Sequence, residues 1–252
     1  TRENTETVTL RDPAAEREIR KENINKRTAT QRSLMPEGFE ALGADGLKDL
    51  LAYLESASPS DFKSLDLSKA ATVDGRLGLF ASEKALTDSL EFVKYGSVKV
   101  GKVPFYVINP AGRSDGRNLI VLKGGSGQAA KQPQTVEIPV QKVSAKAVHI
   151  LGGVGGWAFP WIKDREASLS LTVHYQGGDS EVIALVNGEE IADYNGRHDV
   201  KGSVHAQGLV KAHQIRTVTK PLTKTGVIER ITLSSAGGAI APLVAAITLE
   251  TR

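Results

Sequence analysis

The sequence predicts a mainly β chain, an antiparallel β-sandwich preceded by a small hairpin-plus-helix segment. Two observations carry this. Beyond residue 100, short runs rich in Val, Ile, Leu and Thr recur between clusters of Gly, Asn, Asp and Pro, the punctuation of strands joined by turns. No long stretch among them repeats its apolar residues with the 3.6-residue period of an amphipathic helix, so the crossover helices of a parallel sheet are not foreseen.

From the amino end, residues 1–32 are polar and charged. Alternation over residues 5–10, a turn at Arg11-Asp12-Pro13 and a second run over 16–24 predict a hairpin, too poor in apolar side chains to fold unsupported. Leu47, Leu50, Leu51 and Leu54 stand at i, i+3, i+4 and i+7, one apolar stripe on a helix over residues 44–56 that Pro59 ends. The Ser/Pro/Asp-rich stretch 57–69 reads as a linker. Strands are then expected at 105–108, 118–122, 135–140, 147–151, 168–175, 180–185, 214–218, 227–233 and 243–250, the last suited to the centre of a sheet. The expected organisation is therefore 1–56, a linker 57–69, and a sandwich over 70–252.

Composition narrows the function classes. With 252 residues, 40% hydrophobic and 24% charged, the chain is of ordinary globular make-up. A net charge of +3, with scattered cations and few aromatics, argues against a nucleic-acid interface. No stretch approaches the roughly 20 apolar residues of a membrane-spanning helix. The absence of cysteine removes disulfides, thiolate catalysis, zinc–cysteine sites and covalent haem attachment through Cys-x-x-Cys-His. The start at Thr1, without a signal-peptide pattern, reads as a piece of a longer chain.

Ser33-Leu34-Met35-Pro36-Glu37-Gly38-Phe39, with Leu50-Leu51-Ala52-Tyr53-Leu54, resembles the C-terminal part of the haem-binding, cytochrome c-like domain common in Planctomycetes and Verrucomicrobia. The resemblance implies that residues 1–56 are a remnant of such a domain. It makes Met35 a candidate axial ligand, since a thioether suits haem iron. Haem c would have to be held by an upstream segment or a partner chain, giving an electron-transfer reading. The alternative is a methionine that fills a core gap.

A second set of motifs lies in the later part of the chain. Residues 71–80, Val103-Pro104-Phe105, the run His149-Ile150-Leu151-Gly152-Gly153-Val154-Gly155-Gly156-Trp157 and Ala192-Asp193-Tyr194 resemble galactose-binding-like modules of the NPCBM kind. That resemblance implies a jelly roll that binds rather than catalyses, with a glycan as ligand, in an extracytoplasmic (periplasmic or secreted) multidomain bacterial protein. A further reading is a structural subunit of an oligomer, its N-terminal hairpin pairing with a neighbouring chain.

Candidate ligand-binding residues form two groups. Trp157 and Trp161, with Phe159 between them, can stack on the apolar face of a sugar or plug the end of the sandwich. Asp193, Tyr194, Arg197 and His198 surround the turn signal Asn195-Gly196 and can bind hydroxyls or a carboxylate, unless they are a solvated hairpin tip. Asp193 and Asp199 are weak candidates for a structural Ca²⁺. A Ser203–His198–Asp199 triad can be written on paper but lacks a nucleophile elbow. Gly153-x-Gly155-x-x-Ala158 imitates a dinucleotide fingerprint, yet Pro160 stands where its helix would begin, so a tight glycine turn is expected. Residues 123–131 lack the Gly-Lys-Ser/Thr of a phosphate loop and read as a mobile connector.

Overall fold

The computed structural model describes residues 2–3, 6–11, 16–27, 43–44, 46–47 and 61–251. The chain divides into two compact units, Thr1–Pro59 and Ser60–Arg252.

In the first unit β1 (Arg2–Glu3), β2 (Thr7–Arg11) and β3 (Glu16–Arg20) form an antiparallel three-stranded sheet, with Val8 opposite Ile19. The expected hairpin is present, extended by one short strand. Gly43, Ala44, Gly46 and Leu47 are helical. The rest of the expected helix, and Met35 with its loop, lie outside the described residues.

The second unit is an antiparallel β-sandwich built around one long strand. Its strands are β4 (Phe62–Ser64), β5 (Gly96–Val100), β6 (Val103–Val107), β7 (Ile120–Val121), β8 (Thr135–Gly155), β9 (Ala167–Tyr175), β10 (Ser180–Val186), β11 (Ser203–His205), β12 (Arg216–Pro221), β13 (Val227–Ser235) and β14 (Ala241–Thr251). The two runs expected at 135–140 and 147–151 are one strand of 21 residues. Its first half pairs with β13, which continues to β9 and β10. Its second half pairs with β12 on one side and β14 on the other, so β8 belongs to both sheets. Pro139, which cannot donate to a ladder, sits opposite Arg230 where the register of β13 shifts, the place a sheet tolerates proline.

The two sheets enclose a core of Ile138, Val140, Val148, Ile150, Leu171, Val173, Ile231, Leu233 and Ile247. Leu151, Val121 and Leu243 face the other way, into a second core with Phe80, Phe92, Phe105, Leu119, Tyr194 and Ile215. That second core is closed by residues 71–109, which carry the β5–β6 hairpin. β14 is consequently buried on both faces, and this explains its near-continuous apolar sequence.

Three expectations change. From residue 61 on, the stretch read as a linker belongs to the sandwich, for β4 pairs with β14 and Leu65 and Leu67 enter the core. Gly152, Gly153 and Gly155 lie within β8 rather than in a turn, and a side chain at Gly155 would collide with the Phe80 ring. Residues 123–131 are a packed loop, not a mobile connector. Gly124 N–H donates to Ala129 O (3.1 Å), Gly125 N–H to Ala239 O (3.3 Å) and Gln128 N–H to Phe80 O (2.8 Å).

Candidate functional site

Where β8 ends, the backbone turns into the left-handed region at Gly156 (φ 91°) and again at Trp157 (φ 62°). Glycine adopts this conformation freely, but a bulky L residue does so at a cost of about 1–2 kcal/mol. The turn points the indole outward, leaving Trp157 64% exposed, and Trp161 is 45% exposed. The reading of either tryptophan as a core plug is thereby excluded. Their rings meet edge to face, centroids 5.1 Å apart at 86°. Trp161 meets the His198 ring in the same manner, at 5.0 Å and 82°. The two sequence groups thus converge in space: Trp157, Trp161 and His198 form one aromatic cluster at one end of the sandwich.

Buried polar side chains hold the tryptophan turn. Trp161 N–H donates to Ala158 O (2.8 Å), and Ile162 N–H lies 3.1 Å from both the Trp157 and the Ala158 carbonyls. Asp193, 2% exposed, accepts from Ala158 N–H through Oδ2 (2.7 Å) and from Asn195 N–H through Oδ1 (2.9 Å). Asn187, 1% exposed, accepts from Phe159 N–H (2.9 Å) and donates to Ile162 O (2.9 Å) and Asp164 O (3.1 Å). Gly188 follows it at φ 75°, where any side chain would strike the Phe159 ring.

The second loop, from Asp193 to Ser203, is organised by a buried arginine. Arg216, 2% exposed, donates from Nε to Ser203 Oγ (2.7 Å) and from Nη2 to Ser203 O (2.8 Å). Its Nη1 donates to His198 O (3.1 Å), Asp199 Oδ1 (3.1 Å) and Gln214 Oε1 (3.2 Å). Gln214 Nε2 in turn donates to Asp193 O (2.6 Å), so a continuous polar network runs from Arg216 to the tryptophan turn. His198 Nε2 donates to Asn195 O (2.8 Å), which places the ring against Trp161. Arg197 and Asp199 remain largely in solvent, 3.4 Å apart.

The ionisation states follow from these contacts. Burial pushes the Asp193 carboxyl up from its ordinary value, against the opposing pull of the Asn195 and Ala158 N–H groups and of His198 and His213. The hydrogen bond from Arg216 holds the Asp199 carboxyl down, and Arg197 adds to it. Burial drives the Tyr194 phenol far above its ordinary value, with Asp88 reinforcing the shift.

Several expected roles are corrected by these placements. Asp193 and Tyr194 do not line the surface. Asp193 is a clamp, and Tyr194 is 4% exposed, donates to Asp88 Oδ1 (3.1 Å) and packs against Phe80 and His213. Neither Asp193 nor Asp199 turns its carboxylate to a cation site, since their oxygens are engaged by N–H donors, and the described residues contain no metal-binding group of three or more His, Cys, Asp or Glu. The paper triad is not assembled, because Ser203 Oγ and Asp199 face Arg216 while His198 Nε2 faces Asn195 O. Asn187, Gln214 and Arg216 were not singled out from sequence. Asn187-Gly188 carries a turn signal equal to Asn195-Gly196, whereas Arg216 reads only as one residue of a strand. Among the described residues no helix is long and apolar enough to cross a membrane.

Compared with known proteins, the chain matches no family model and no curated protein.

Proposed function

We propose that the sandwich is a non-catalytic carbohydrate-binding module whose ligand rests on Trp157, Trp161 and His198, with Arg197 and Asp199 reading hydroxyls. The observation that carries this reading is Trp157: a large apolar ring held 64% exposed on a left-handed backbone. Folding gains little from the ring there, since its contact with Trp161, about 0.5–1.5 kcal/mol, does no more than offset the unfavourable backbone. A large apolar ring left mostly in solvent offers a face for a ligand to cover. A pyranose offers an apolar C–H face to an aromatic ring, and its hydroxyls suit an exposed guanidinium and carboxylate side by side. The titratable groups nearby are committed to structure, His198 to Asn195 O and Asp193 to two backbone N–H groups, which favours binding over catalysis.

The test is a glycan array probed with the parent chain and with Trp161→Ala and Arg197→Ala. The parent is expected to bind a defined set of saccharides. Trp161→Ala should lose at least about tenfold, the loss of a stacking contact of roughly 1.4 kcal/mol. Absent or unchanged binding across all three proteins would refute the assignment.

A further inference from the structure

We infer that this site takes a single pyranose unit, the end or a one-unit branch of a glycan, and does not grip the flat face of a polysaccharide. The inference rests on the carbohydrate reading above and concerns the shape of the ligand. Trp157 and Trp161 stand at 86°, and Trp161 and His198 at 82°. No plane can lie against two faces set at a right angle. A polysaccharide lying flat needs coplanar aromatic faces, spaced so that successive sugars each stack. The indoles here are not coplanar, and at 5.1 Å between centroids they touch each other rather than two separate sugars.

A right-angled corner instead suits one ring, its C–H face against one indole and its rim against the other, all at van der Waals distances of about 3.5–4 Å. The corner is also held in shape. Asp193 and Asn187 fix the backbone from Ala158 to Asp164, and the edge-to-face contacts with Trp157 and His198 restrain the Trp161 ring from both neighbours. Flattening the pair into a platform would give up those ring contacts.

Polar side chains flank the corner. Arg197 lies 3.4 Å from Asp199, which also accepts from the inward-turned Arg216 (3.1 Å). The exposed pair supplies donors and acceptors suited to vicinal hydroxyls.

The experiment uses the full chain and follows tryptophan fluorescence. Methyl pyranosides of glucose, galactose, mannose, fucose and N-acetylglucosamine, and methyl glucuronide, are titrated beside cello- and chito-hexasaccharides, with pull-down on crystalline cellulose and chitin powders. One methyl pyranoside is expected to bind within about threefold of any oligomer that ends in it, because a single-unit site gains little from chain length. The powders should retain no protein. An affinity rising tenfold or more with chain length, or retention on a powder that Trp157→Ala abolishes, would overturn the single-unit inference while leaving carbohydrate binding intact. Failure of every sugar and powder would overturn both.

Discussion

Replacing Trp157 by glycine and, separately, by alanine divides the work of its ring from the cost of its backbone. Both variants lose the indole and its edge-to-face contact with Trp161, a contact of about 0.5–1.5 kcal/mol. That term cancels between them. What remains is the φ of 62°, which disfavours alanine by about 1–2 kcal/mol and leaves glycine nearly unstrained. Against this stands the greater freedom of glycine in the unfolded chain, about 0.4–1 kcal/mol. The glycine variant is therefore expected to be more stable than the alanine variant by about 1 kcal/mol, or roughly 2–4 °C in Tm for a domain of this size. Thermal unfolding of the two variants by circular dichroism measures the difference directly. An alanine variant as stable as the glycine variant would show that residue 157 is not held in the left-handed region, and the functional argument from strain would fall with it. Both variants should lose sugar binding alike, since neither has a ring.

Asp193→Ala removes the acceptor for the Ala158 and Asn195 N–H groups, and each buried donor left unpaired costs about 1–3 kcal/mol. A Tm lowered by several degrees, with a change in tryptophan fluorescence as the turn loosens, is the expected result; an unaltered melt would contradict the clamp. The pH dependence of stability centres on His149, buried beside Phe62, hydrogen-bonded through Nδ1 to Thr219 Oγ1 (2.8 Å) and 3.5 Å from Glu250, which also pairs with Lys146. Burial pushes its pKa below the ordinary 6.5, against the pull of Glu250. The unfolded chain then takes up a proton before the folded one, so stability falls as pH drops through 6.5 toward the folded value. His205 is lowered too, by burial and by Arg197 and Arg216. His149→Gln should flatten part of the slope between pH 7.5 and 5.5 in denaturant titrations, and an unchanged slope would remove His149 from the account.

Much of the sandwich was legible in sequence because one-sided burial writes period-two runs and two-sided burial, as in β14, a continuous apolar run. The segments 168–175, 180–185, 227–233 and 243–250 lie within β9, β10, β13 and β14. The continuity of β8 was hidden by Pro139 and by three glycines near its far end, which punctuate a sequence as turns do. Here they serve a bulge and the close approach of Phe80 to Gly155. β4 and β11 are three residues each, too short for any period to register. At the site, the aromatic residues could be named because a pair of tryptophans so close in sequence is uncommon. Their supports could not. Asn187 and Arg216 act on backbone groups of loops distant in sequence, and nothing local marks such a partnership.

The division of polar residues between surface and interior bears on how the site works. Sugar recognition by a few contacts gains little unless the contacts stand ready, because ordering side chains on binding consumes the energy they release. On the proposed sugar reading, the ordering in this sandwich is done in advance by residues that a ligand would not meet. Arg216 fixes the loop that carries Arg197 and His198, Gln214 ties that loop to Asp193, and Asp193 with Asn187 fixes the turn that carries both tryptophans. A buried arginine satisfied at this many acceptors is weak evidence for stability, since apolar side chains of similar volume commonly stabilise as well or better. Its value lies in specifying one conformation for two irregular loops that have no ladder to align them. Affinity and stability should accordingly respond differently to change here: the exposed rings govern binding with little effect on the fold, while the buried network governs both.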